Sequence, residues 1–334
     1  MRLFQSIFGG DEAHGRYPES LIEQAMERAV DGTDPRLRLL PGYRKRLRQP
    51  VIQAIDHVVA LVDGIPAPLL ARAGHHGDEP LLKAAFSSAG DMLDALGRDS
   101  ALRSFLASPE GRGAEQVTAL LLAERVERSI LGMDLIGDQV HRDVPQVTVS
   151  FAGHRLLDPS ATEAESRRQW KRRAFDHLLT LALTRIAETR VERADLKRQH
   201  DLLRRKLTAL EHGGWSFEPA EDAHPDPAAL QVELDKLTAQ LNAVGADQDV
   251  LRVHLQLVAE LLGEAPSQIW AEPVGLWLDA MNIQRAADDP SARLVQLWEL
   301  HNARGRRAVM LALSITPGDL PIREDLVTAA QRYL

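Results

Sequence analysis

Residues 175–210 read FDHLLTLALTRIAETRVERADLKRQHDLLRRKLTAL, and the spacing of their apolar positions decides the architecture. Phe175, Leu179, Ala182, Ile186, Thr189, Arg193, Leu196, His200, Leu203, Leu207 and Leu210 step by alternating fours and threes without a slip. That is the 3.5-residue repeat of a coiled-coil seam. A second seam follows the same rule: Leu230, Leu234, Leu237, Leu241, Val244, Gln248, Leu251, Leu255, Val258 and Leu262. Asp226 as N-cap and Pro227 at the first helical position introduce it, and Ser160 with Glu163 has capping-box spacing ahead of the first seam. Gly213-Gly214 stops the outgoing helix, so the connector His212–Pro227 folds the two back as an antiparallel hairpin.

Register and charge agree with that folding back. With Leu210 facing Leu230, facing positions sum to about 440, which brings Gln248 level with Glu192 and Arg193. A polar layer of this kind fixes alignment at some expense in stability. Residues 160–211 carry 13 Lys/Arg against 8 Asp/Glu, and residues 227–264 carry 2 against 6, giving net charges of +5 and -4 that favour pairing. At 1.5 Å per residue the outgoing helix is roughly 75 Å long and the return about 55 Å, so the hairpin projects beyond a compact domain.

Upstream of the hairpin the pattern is helical. Pro18 opens a helix carrying Leu21, Ile22, Ala25, Met26 and Ala29 that Asp31-Gly32 closes, and Pro50 opens another that ends at Asp63-Gly64. Shorter helices are expected over 80–89, 100–107 and 114–127. The period then changes to two: Val147, Val149 and Phe151 alternate with polar residues, and 131–136 reads as their hairpin partner. Residues 293–300 and 307–315 form a second hairpin, 276–283 reads as either strand or helix, and 321–334 as a closing helix. The fold class is therefore α+β, mostly α. It comprises an amphipathic N-terminal tail (1–17), a helical bundle (18–128), and a small antiparallel sheet (129–159 and 264–334). The coiled-coil hairpin (160–263) is inserted between the strands of that sheet.

Composition narrows the chemistry. The 334 residues contain no cysteine, which excludes disulfides, a thiolate nucleophile and cysteine-based metal sites. A net charge of -8 argues against whole-protein attraction to nucleic acid, and no apolar run approaches the ~20 residues of a membrane span. With no secretory signal pattern at the start, a cytoplasmic protein is expected. Leu3, Phe4, Ile7 and Phe8 form one side of a short helix that suits docking on its own domain or on a partner, and transient contact of residues 1–8 with a membrane surface is a second use.

No phosphate-binding loop, Gly-x-Ser-x-Gly elbow or His-Glu-x-x-His helix is present, and neither a cofactor nor a metal is expected. Gly111-Arg112-Gly113 lacks the strand–helix setting of a dinucleotide site, and His141-Arg142-Asp143 reads as a turn between strands. Residues 74–79, with two histidines and two carboxylates, are better read as a solvated loop than as a metal site, and His200 as a core histidine within the seam. Two basic clusters are suited to phosphates or, more simply, to internal ion pairs. One is Arg167, Arg168, Lys171, Arg172 and Arg173; the other runs from Arg36 and Arg38 to Arg44, Lys45, Arg46 and Arg48. At the hairpin tip, Trp215 and Phe217 sit among Glu218, Glu221 and Asp222, either as anchors for a partner or as a plug for the coiled coil.

These observations lead to a non-enzymatic scaffold or adaptor whose coiled-coil arm contacts a protein partner. Two alternatives stay open. One is a regulator of a nucleic-acid machine such as RNA polymerase, acting through the arm or the arginine-rich clusters. The other is an enzyme whose site, near the sheet, draws on groups such as His141, Asp143, His154 and His301.

Overall fold

The change of period along the chain corresponds to a change of structure. A computed structural model describes residues 17–136, 139–212, 227–243 and 249–321. The protein is a mixed α/β structure with a sheet that is antiparallel apart from one short strand. Two interleaved units divide it: residues 1–56 with 175–265, and residues 57–174 with 266–334. This division cuts across residues 18–128, which the spacing grouped as one helical domain.

The first unit holds α1 (Glu19–Asp31), a 3-10 turn (Pro35–Leu39), most of α2 (Tyr43–Asp63), α7 (Glu163–His212) from Phe175 onward, α8 (Pro227–Ala243) and α9 (Val250–Gly263). On α7, Phe175, Leu178, Leu179, Leu181, Ala182 and Ile186 are buried, and α1 lies close enough that a Cβ on Gly32 would stand 2.9 Å from Leu179. From Thr189 outward the helix changes character. Thr189, Arg193, Leu196, His200, Leu203, Leu207 and Leu210 are half-buried, and every position between them except Asp195 is exposed. Leu230 and Leu237 of α8 are buried, Leu234 and Leu241 half-buried, and the rest of α8 exposed. Val244 and Gln248, the tip residues Trp215, Phe217, Glu218, Glu221 and Asp222, the cap Asp226, residues 1–16 and the closing helix expected beyond Pro321 lie outside the described residues.

The second unit is built on a six-stranded sheet. Its strands are β1 (Leu69–Ala71), β2 (Val117–Ile136), β3 (Gln139–Ser160), β4 (Ile269–Leu278), β5 (Arg293–Asn302) and β6 (Arg307–Ile315). The order is β3-β2-β6-β5-β4, with β1 parallel to the end of β6. Central strand β6 is buried on both faces. Val309, Leu311 and Leu313 pack with residues of α4 (Pro80–Ala85), α5 (Ala89–Arg98) and α6 (Ser100–Ala107), which follow the one-turn α3 (Ala73–His76), while Met310 and Ala312 pack with Val62, Ile65 and Trp170.

Several expectations are corrected here. Residues 114–127, expected as a helix, lie largely in β2: Val117–Ala123 is an apolar run buried between β3 and β6, and such a run carries no alternation to separate strand from helix. Pro50 sits inside α2 rather than opening it, so the basic residues Arg44–Arg48 are helical and not in a loop. Thr162, not Ser160, caps α7, its hydroxyl accepting the Glu165 amide at 3.3 Å; Ser160 is the last residue of β3. His141-Arg142-Asp143 lies within β3 instead of in a turn, where Asp143 takes φ 59° beside a bulge. Residues 276–283 split between the end of β4 and a turn at Asp279–Asn282.

Close packing accounts for Gly111 of the Gly111-Arg112-Gly113 stretch. A Cβ there would collide with the backbone carbonyl of Phe105 in α6. Gly111→Ala is therefore expected to destabilise the protein by about 3 kcal/mol, whereas Gly74→Ala, with open space around it, stays within about 0.5 kcal/mol. Urea denaturation of both variants checks this, and equal midpoints would contradict it.

Candidate functional site

Asp34 is a buried, multiply bonded carboxylate of the first unit. The dipeptide Asp34-Pro35 makes it the N-cap of the 3-10 turn, with its carboxylate accepting the Arg36 amide at 3.2 Å. Arg36 adds a two-pronged contact, Nε at 3.0 Å and Nη2 at 2.8 Å. Arg190 of α7 donates from Nη2 at 2.7 Å, and His254 of α9 from Nδ1 at 2.8 Å. Asp34 is 3% and His254 1% exposed, so α7, α9 and the turn converge on one carboxylate out of water.

Electrostatics follow from that arrangement. The Arg36 hydrogen bonds, helped by His254, hold the Asp34 carboxyl far below its ordinary value against the opposing effect of burial. Burial pushes the His254 imidazole below its ordinary value, with the positive charges of Arg190 and Arg36 acting the same way and the bond to Asp34 opposing. A neutral ring with its proton on Nδ1 fits this site: it donates to the carboxylate and places no third cation beside Arg190 and Arg36.

Arg190 Nη2 also lies 3.5 Å from His254 Nδ1, a pair whose positions sum to 444, within about one helical turn of the sum of about 440 read from the seams. Just beyond it, Arg193 and Lys197 of α7 and Val250 and Val253 of α9 line a cleft of about 190 Å³. The polar layer expected at Arg193 and Gln248 involves Gln248, which lies outside the described residues. The polar contact between α7 and α9 seen among the described residues is made by Arg190 and His254, tied through Asp34. Sequence spacing missed it because His254 stands beside seam residue Leu255, on the flank of a strict heptad, and its partner lies 220 residues away.

The basic residues are engaged internally. Arg44 reaches Glu27, Arg48 reaches Glu19 and Arg38 bridges Glu27 and Asp31, while Lys45 and Arg46 are exposed. In the other cluster Arg167 pairs with Glu163 and donates to the carbonyls of Val62, Ile65 and Pro66. Arg168 pairs with Glu165, Lys171 with Asp63 and Arg173 with Asp158; Arg172 lies on the same helix.

The scattered histidines of the second unit do not converge. His154 stacks on Phe86 and bonds the Ala85 carbonyl, and burial lowers its pKa. His301 stacks on Trp270 with Glu272 and Glu299 nearby, while the backbone of His141 is in register with that of Asp134 along the ribbon. His76 is buried against the Phe86 carbonyl and His75 is exposed. An open groove of about 680 Å³ runs between Ser104 of α6, Ser108 just after that helix, the end of β3, and Gln169 and Arg173 of α7, and none of those histidines lines it. No helix among the described residues is long and apolar enough to cross a membrane. No protein-family model, curated protein or solved structure matches the chain.

The Asp34 cluster makes a pH signature. An unfolded chain takes up a proton on His254 once pH drops below the ordinary value of 6.5, whereas the folded site resists it, so stability present above 6.5 is lost as pH falls below. The Asp34 contribution is present above the ordinary carboxylate value of 3.8 and is lost only below that. The thermal midpoint is thus expected to fall between about pH 7.5 and 5.5, and His254→Asn, which keeps a donor toward Asp34, to flatten the fall. Asp34→Ala removes cap and carboxylate together and is expected to destabilise by about 2–4 kcal/mol at neutral pH. Calorimetry across the pH range checks both; a fall of the same size in His254→Asn would remove His254 from the account.

Proposed function

We propose that this protein is a non-enzymatic scaffold or adaptor that presents α7, with α8 and α9, as an antiparallel coiled-coil arm to a protein partner. The observation that carries this reading is the burial pattern beyond Ile186. The seam positions of α7 are half-covered at every step of the 3.5-residue repeat while the flanks stand in solvent, the pattern of a helix with one partnered stripe and no surrounding core. Leu230 and Leu237 of α8 supply a matching stripe, and the net charges of +5 and -4 favour the pairing. The contact between Arg190 and His254 supports the antiparallel alignment.

A helix exposed on all but one stripe offers a long, charged, regular surface, which suits recognition better than catalysis. The arginine-rich clusters, with most of their members in ion pairs to carboxylates of their own unit, favour the arm over nucleic acid as the point of contact. Trp215 and Phe217, scarce aromatics at the connector, are the proposed anchors, with Glu218, Glu221 and Asp222 as their acidic surround.

Replacing residues 211–227 by a short turn tests the reading. The shortened chain is expected to keep its circular dichroism and melting behaviour and to lose the protein that co-purifies with the intact chain from its native cytoplasm. A shortened chain that folds and retains the same partner would contradict the proposal.

A further inference from the structure

Independently of the arm, the sheet carries an unfinished edge. β2 pairs with β6 only over Val117–Ala123, whereas its pairing with β3 continues to Ile136. Beyond Ala123 the two strands form a ribbon, and among the described residues no strand pairs with the other edge of β2 there. Among the described side chains of the ribbon, Leu131 is 69%, Met133 67% and Val140 65% exposed, and Ile130 is exposed on the opposite face. A two-stranded ribbon alone is marginal in water, and a long apolar edge is a template for another strand. The ribbon is nonetheless locally fixed. The Gln146 side chain lies over Gly132, where a Cβ would collide with it, and donates to the Met133 carbonyl at 3.1 Å.

We infer that β2 pairs with β2 of a second copy of this chain, antiparallel about a twofold axis at Leu131. Three observations select that occupant. An open row of backbone donors and acceptors is satisfied by an extended strand, which neither a helix nor a lipid supplies. Residues 124–145 hold 5 Asp/Glu against 3 Arg, a net charge of -2 that disfavours phosphate headgroups and nucleic acid. The edge is also complementary to itself at that register. Leu131 meets Leu131, Ile130 is level with Gly132 and Met133 with Ser129, a large residue against a small one, and Arg128 is level with Asp134. Closing an isologous pair in this way joins two ribbons into a four-stranded sheet with no open edge between them.

Sedimentation of the full chain over a range of concentrations reads this directly, and a species of twice the 37.0 kDa chain mass is expected. Leu131→Lys combined with Met133→Lys, both at exposed positions, is expected to give a monomer that keeps its circular dichroism and a cooperative melt no longer dependent on concentration. Because the chain has no cysteine, Leu131→Cys creates a single thiol, expected to cross-link two chains on mild oxidation, while Val232→Cys on exposed α8 does not. Replacing residues 211–227 leaves the dimer intact, which separates this inference from the arm. A chain monomeric at every concentration with an unbridged Leu131→Cys overturns it. So does a dimer that survives the double substitution, or a monomer that floats with phosphatidylcholine–phosphatidylglycerol vesicles.

Discussion

Three segments far apart in sequence meet on the Asp34 carboxylate, and the position of the returning helix depends on that meeting. Arg190 belongs to the outgoing α7, His254 to the returning α9, and Arg36 to the turn that Asp34 itself caps. A buried carboxylate is tolerable only when donors surround it, so sliding α9 by a turn would strand a charge out of water. Apolar seam residues tolerate such slippage because one leucine replaces another. A polar lock does not, and Asp34 holds Arg190 of α7 and His254 of α9 to one position.

The second unit obeys a different constraint. Its central strand is apolar on both faces because α4–α6 cover one and Val62, Ile65 and Trp170 the other. Where this double cover stops, near Ala123, β2 and β3 run on as a ribbon that exposes Ile130, Leu131, Met133 and Val140 among charged side chains. The buried pair Arg125 and Glu299, bonded at 2.5 Å, stands near that boundary.

What the sequence made legible was whatever repeats on one element. From Thr189 outward the positions of α7 spaced at 3.5 residues are half-buried, and Arg293–Asn302 and Arg307–Ile315 are neighbouring antiparallel strands where a second hairpin is expected over 293–300 and 307–315. The failures share a physical cause. Val117–Ala123 hides its strand because both faces are buried, Pro50 resides in a helix that packing of Leu47 and Val51 holds together, and Thr162 takes the cap because β3 runs to Ser160. The Asp34 cluster and the pairing of Lys171 with Asp63 depend on contacts across more than a hundred residues, for which no local pattern exists. The candidate site was therefore half readable: its helices from spacing, its polar lock only from the fold.

The central claim is that α7 and α8 lie side by side in opposite directions with facing positions summing to about 440. Spin labels on exposed Arg205 and Asp235, measured by pulsed electron–electron resonance in the intact chain, test it most directly. Adjacent helix axes about 8–10 Å apart lead to a narrow distribution centred at roughly 20–30 Å once the label arms are included. A broad distribution centred well beyond about 40 Å would separate the two helices and contradict the account.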